Sequence, residues 1–223
     1  MTESIVRSEF DRLSALPETW DFNHFYHRHL LSMLPSAIDS LLDVGCGTGA
    51  FSRLAASRCG SVMAVDLSPG MIARARQISA PANVSFSVAD VFDMHHAPGS
   101  FDAIISIAAL HHMNLPEALD RFSSLLRPGG TLVLLDLFVP SNLLERLTSW
   151  IGVILSPLVR LIHSRRLFQS PAVRRAWSLH EAHDHYPALP VVRSVAREIL
   201  PGAQVRLHLF WRYSLVWRKP SSS

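Results

Sequence analysis

Lysine is almost missing from this chain of 223 residues: Lys219 is the only one, so nearly all positive charge is guanidinium. Cysteine is scarce as well. Cys46 and Cys59 form neither a CxxC pair nor part of a His/Cys cluster, which argues against a disulfide scaffold or a zinc finger. Charged residues make up 17% against 48% hydrophobic, with a mean hydropathy of +0.20, and such an apolar balance excludes a disordered chain. Fourteen prolines and ten glycines recur without a period, so collagen-like and solenoid architectures are excluded too. The longest charge-free run after Pro140, Leu147 to Val159, falls well short of the ~20 residues that span a bilayer. The first residues, MTESIVRSEFDRLSALPE, carry acids where a secretory leader needs an apolar core, so the expected compartment is cytoplasmic.

What is present is a rhythm of strands and helices. The length suits one domain, residues 1–223, with an elaboration. Short apolar runs at 40–44, 61–67, 83–90, 101–110 and 131–139 alternate with helical stretches at 50–58, 69–79 and 116–126. RPGG at 127–130 reads as the turn before the last of these strands. That alternation predicts a doubly wound α/β fold, a parallel sheet covered on both faces. A helix over 22–34, stopped by Pro35, belongs with lid helices in about 1–35. After Pro140 the rhythm breaks. A helical cap insertion is expected over about 141–186, with an apolar helix interrupted at Pro157 and a polar helix or loop at 171–186. A helix near 191–200 and two alternating runs, 203–210 and 212–219, follow; the runs suggest an antiparallel pair closing the sheet. Charge is divided as sharply: residues 1–140 hold 9 basic and 14 acidic side chains, residues 141–223 hold 12 and 4. An arginine-rich solvated surface accounts for this, and so would a face for nucleic acid or an acidic membrane.

The most specific signal is LLDVGCGTGAF at 41–51: a strand ending at Val44, glycines at 45, 47 and 49, then a helix. Such loops let a ligand approach the backbone and present N–H groups at the helix start. The spacing also fits a dinucleotide fingerprint, which keeps a nicotinamide oxidoreductase open. Asp43 discriminates between the two, because a carboxylate there would repel a diphosphate and attract a ligand with an ammonium and a sulfonium. A second acid, Asp66, closes the second strand where a ribose would present its hydroxyls, and Asp90 closes the third.

In order, DVGCGTG, AVDLSPGMI, SVADV, FDAIISIAALHHM and LRPGGTLVLLD resemble the motifs of the class I S-adenosylmethionine-dependent methyltransferases, in the small-molecule branch. The likeness is close over about 40–138 and extends to the last two strands. It implies a mostly parallel seven-stranded Rossmann-like sheet whose last strand is antiparallel. It also implies that Asp43, Gly45, Gly47 and Gly49 surround the methionine part of the cofactor and that Asp66 holds the ribose. Leu67 and Met71 would flank the adenine, Asp90 and Val91 would meet its edge, and Ile107 with Ala108 would lie by the amino group. Tyr26 and His27 in FYHRHLL would close over the ligand as a lid.

Methyl transfer asks the protein mainly for positioning and water exclusion, with a base where the nucleophile carries a proton. His111 and His112, just past the fourth strand, are the candidate bases. The stretch His180 to Tyr186 (HEAHDHY) is expected to be a solvated loop at the pocket mouth, with no metal, because no matching distant ligand set is evident. Trp150, Ile151, Ile154, Leu155 and Leu158 would roof a pocket for an apolar or aromatic acceptor methylated at oxygen or carbon, leaving S-adenosylhomocysteine. SIAALHHM lacks the Asn/Asp-Pro-Pro-aromatic segment of nucleic-acid amino methyltransferases, so no nucleic-acid partner is expected, although the basic second half keeps RNA as a weaker reading. Two rivals remain. One is a protein that binds the cofactor without transferring methyl; the other is a membrane-surface enzyme acting on a lipid or quinone through 141–175.

Overall fold

The computed structural model describes residues 3–16, 20–165, 171–181 and 184–221, without the side chains at 172 and 179–181. Its centre is a seven-stranded sheet in the order β3-β2-β1-β4-β5-β7-β6. The strands are β1 (Ile38–Val44), β2 (Cys59–Asp66), β3 (Val84–Val88), β4 (Phe101–Ile107), β5 (Leu126–Leu137), β6 (Gln204–Leu207) and β7 (Arg212–Arg218). The first five pair in parallel, and β7 runs antiparallel to both β5 and β6. This is the expected Rossmann-like sheet with its antiparallel last strand.

Each helix forms for a local reason and covers a face. Helices α3 (Ala50–Ala55), α4 (Pro69–Gln77), α5 (Leu115–Leu125) and α8 (Leu189–Ile199) connect or flank the strands. Proline occupies the first turn of α4, α5 and α8, where its missing N–H costs nothing, and Ser68 and Asn114 cap the first two of these. Beneath α5 and α8 the sheet buries Leu42, Ile104, Leu119, Phe122, Leu132 and Tyr213 in one core cluster. On the other face Leu30, Leu41, Phe51, Ile105 and Val133 form a second. That face is covered by α2 (Phe22–Met33), whose start is locked by a capping box between Asp21 and His24.

Helix α1 (Glu3–Ser14) is latched to the start of α4. Asp11 Oδ1 accepts from Ser68 Oγ at 2.5 Å and from Gly70 N at 2.9 Å, and the bonds from Ser68 and Gly70 hold its carboxyl below the usual range. RPGG is absorbed into β5, with a register irregularity against β4, so the expected turn is corrected to strand. Helix α6 (Leu143–Ser164) passes through Pro157 without interruption. The Val153 carbonyl that Pro157 cannot satisfy accepts instead from Ser156 Oγ at 2.9 Å, which replaces the lost hydrogen bond. Helix α7 (Pro171–Glu181) follows.

Candidate functional site

A cavity of about 710 Å³ lies at the carboxyl ends of β1, β2, β4 and β5, where open α/β sheets place their ligands. Its floor is the glycine loop. Gly45 N and Cys46 N both donate to the Val65 carbonyl, at 2.9 and 3.0 Å, which folds the loop over the end of β2. Gly47 has a φ of +53°, and a Cβ added there would meet nothing within 4 Å, so the main chain lies bare toward the cavity. Gly49 serves another purpose: it starts α3 in a left-handed conformation, and a Cβ would strike the Phe86 ring at 2.3 Å. It does not line the cavity. The reading of Gly49 as a contact to the ligand is therefore corrected to a packing role.

The carboxylates stand as the strand order requires. Asp43 is buried and accepts from Ser52 Oγ at 2.5 Å; burial pushes its pKa up to about 7, with the Asp66 charge adding to the effect. Asp66 accepts from Gly47 N at 2.8 Å and Ser68 N at 2.9 Å, yet burial still raises its pKa. Loop residues 45–50 carry no basic side chain. Arg53 turns its guanidinium to the carbonyls of Thr48, Ala75, Ile78 and Ser79. Two crowded carboxylates with, among the described residues, no cation paired to either fit a ligand that brings positive charge and hydroxyl donors; a diphosphate would add a third and fourth negative charge. Leu67, Met71, Asp90, Val91, Ile107 and Ala108 line the same cavity, and His27 lines it from α2. Burial depresses the His27 pKa to about 4, so its imidazole is neutral near pH 7. Tyr26 differs. Its hydroxyl donates to the Leu209 carbonyl at 2.9 Å, its ring is buried in the core, and it does not line the cavity. Its expected lid contact is corrected to a structural one.

Past β4, Ala108 adopts a φ of +52° and the chain turns into a short 3₁₀ segment, Leu110–His112, that delivers both histidines to the cavity. The two imidazoles lie 4.0 Å apart between ring centres. His111 Nδ1 is 2.6 Å from Asp136 Oδ1, on β5, and its Nε2 is 3.8 Å from Asp184 Oδ2. Burial alone would depress the His111 pKa, but the Asp136 charge and hydrogen bond, with Asp184, lift it above the ordinary value. His112 Nδ1 is 3.6 Å from Asp184 Oδ1, and its ring meets Phe10 edge-on at 5.4 Å. One atom from each of His111, His112 and Asp184 lies within 4.8 Å of the others, a donor set that a divalent ion could draw together.

Asp184 and Tyr186 revise the solvated-loop reading. The Asp184 side chain is buried, Tyr186 Oη donates to its Oδ2 at 2.8 Å, and the Val139–Ala188 bridge pins this stretch beside the end of β5. The distant partners not evident from sequence are His111 and His112. Residues 182 and 183, and the side chains of His180 and Glu181, lie outside the described residues.

Sequence reasoning also missed Asp136, Arg160, Trp177, Trp211 and Arg212, all near or lining this cavity. A lone acid inside the apolar run TLVLLDLFV was a usable signal for Asp136. No such signal existed for the hairpin that aims Trp211 and Arg212 inward, because Phe210 and Trp211 both take positive φ, a conformation usually marked by glycine or asparagine. Phe210 is held there by stacking on Phe22 at 4.3 Å, fully buried. Of the residues expected to roof the pocket, only Leu155 packs inward; Trp150, Ile151, Ile154 and Leu158 point away from it.

Comparison with known proteins agrees with this geometry. A family model described as a methyltransferase domain matches residues 42–134. The uncharacterized methyltransferase Mb0092 of Mycobacterium bovis is 33% identical over 211 residues, covering 92% of this chain and 100% of that protein. A ubiquinone biosynthesis O-methyltransferase of Xanthomonas campestris is 34% identical over 143 residues, covering 57% of this chain and 60% of that enzyme. Among solved structures, the N-methyltransferase NodS from Bradyrhizobium japonicum in complex with S-adenosyl-L-homocysteine superposes with a TM-score of 0.63 at 20% identity, covering 96% and 98% of the two chains.

Proposed function

Because the chain belongs to the class I S-adenosylmethionine-dependent methyltransferases, we propose that it methylates a hydroxyl oxygen on a small apolar or aromatic acceptor, with His111 as the base. The observation that carries this reading is the Asp136–His111 pair opening onto the cavity. S-adenosylmethionine supplies, when bound, an electrophilic methyl group on a cationic sulfur. Asp43, Asp66, Gly47 and Asp90 are the residues that would hold it, with Leu67, Met71 and Val91 offering apolar surface.

Asp136 holds the proton of His111 on Nδ1, which leaves Nε2, 3.8 Å from Asp184 Oδ2, as the proton acceptor. Removal of a hydroxyl proton there is worth about 10²–10⁴-fold in rate. Phe10, Phe22, Phe51, Met113, Trp177 and Trp211 line the remaining wall and exclude water around an apolar guest. The Xanthomonas relative, a ubiquinone biosynthesis O-methyltransferase, supports a phenolic acceptor for this chain. His112, packed edge-on against Phe10 and 3.6 Å from Asp184, acts as wall.

The test is turnover of phenolic acceptors read as release of S-adenosylhomocysteine. Because the folded pKa of His111 is raised, its base form appears only above that value, so the rate should climb through a pKa above about 6.5. Asp136→Asn should lower kcat by at least about 10²-fold and move the inflection to lower pH, with cofactor affinity unchanged. An unmoved inflection would remove His111 as the base. No release with any phenol would remove the acceptor class.

A further inference from the structure

The amphipathicity of α6 is inverted. Over its first half the inner face is polar or small, before Leu155 and Val159 pack on the core: Glu145 is buried accepting from Ser141 N and Asn142 Nδ2, both at 2.7 Å. Ser149 Oγ bonds back to the Glu145 carbonyl, and Gly152 allows the helix so close that a Cβ would stand 2.9 Å from Phe210 N. Further along, the Arg160 guanidinium lies over the Phe22 ring at 5.2 Å and His163 stacks on Trp20 at 5.1 Å. The outer face is the apolar one. Leu143, Leu147, Trp150, Ile154, Leu158 and Ile162 recur at three- and four-residue steps, with Trp150 at 66% and Ile154 at 74% exposure. They form one unbroken stripe of about 30 Å along the helix. Phe25, half exposed beside His163, extends it onto α2. A stripe this long is not left in water by ordinary core packing.

The charge around it selects the occupant. Arg146 and Arg165 are exposed at the two ends of the helix, and the one acid within it, Glu145, is buried. A second copy meeting this face would bring like charge against like. An anionic bilayer offers apolar interior for the stripe and phosphates for the arginines, and tryptophan is favoured at that boundary. Arg160 and His163, stacked on the body of the protein, keep the helix lying along such a surface and not across it.

We propose that the outer face of α6 docks the enzyme on an anionic membrane surface. Arg160, on the same helix, lines the cavity, so the docked face and the acceptor site are the two sides of one element. The docking is independent of the acceptor assigned above, since vesicle binding reads one and S-adenosylhomocysteine release reads the other.

The test is flotation of the full chain with vesicles of phosphatidylcholine mixed with phosphatidylglycerol, against phosphatidylcholine alone. Binding should need the anionic lipid and weaken with salt. The triple variant Leu147→Gln, Trp150→Gln, Ile154→Gln should partition at least about tenfold less, and Arg146→Gln about fivefold less. Unchanged binding of S-adenosylhomocysteine by the triple variant establishes that it is folded. Failure of the parent to bind anionic vesicles, or equal binding by the triple variant, would overturn the proposal. So would a parent dimer that the triple variant converts to monomer, which would assign the face to a second copy.

Discussion

Helices α5 and α6 show how differently two amphipathic elements of one chain are used. In α5, Ala118, Leu119, Phe122 and Leu125 turn inward and are fully buried against the sheet. In α6 most apolar residues turn outward, and Glu145, Ser149 and Gly152 meet the protein together with Leu155 and Val159. Apolar periodicity therefore signals a face that must be covered without saying by what. The sheet covers α5, and α6 keeps its stripe for something outside the chain.

Truncation exposes the contrast most sharply. Leu119→Ala should cost about 2–5 kcal/mol in urea unfolding, whereas Ile154→Ala should stay within about 0.5 kcal/mol. A large loss at Ile154 would mean that α6 buries that face within the fold after all. The cofactor floor should respond more moderately. Asp66→Ala removes a charged hydrogen-bonding group and should weaken S-adenosylmethionine by about 1.5–3 kcal/mol in calorimetry, while the triple α6 variant leaves that affinity alone. Unaltered affinity in Asp66→Ala would end the ribose assignment.

The smallest effect is a pH dependence. Burial has raised the Asp43 pKa to about 7, far above its unfolded value, so folding favours its neutral form. The sign follows: Asp43 subtracts stability as pH rises between about 4 and about 7. A cationic ligand favours the carboxylate, so affinity for S-adenosylmethionine should rise severalfold through the same window. Asp43→Asn should flatten that rise. A flat parent profile would show that Asp43 does not change its ionisation across this window.

Much of this molecule was legible because its signals are local. Asp43, Gly45 and Gly47 sit within five positions of one another, and Asp66 and Asp90 follow at the ends of the next two strands, so strand register alone brings them to one edge. Less was legible where two readings share one pattern. Gly49 looked like its neighbours, but Phe86, from β3, decides its role. Tyr26 and His27 are adjacent on α2, and a turn of about 100° per residue sends one to the core and the other to the cavity.

By itself the sequence determined the sheet, the glycine loop and the sign of charge beneath the ligand, since these follow from spacing within single βα units. The tertiary structure alone decided that Asp136 meets His111 across 25 residues, that Asp184 joins them from the cap, and which way α6 faces. Those outcomes depend on where separate elements pack, and a hydrophobic stripe or a lone carboxylate carries no label for its partner.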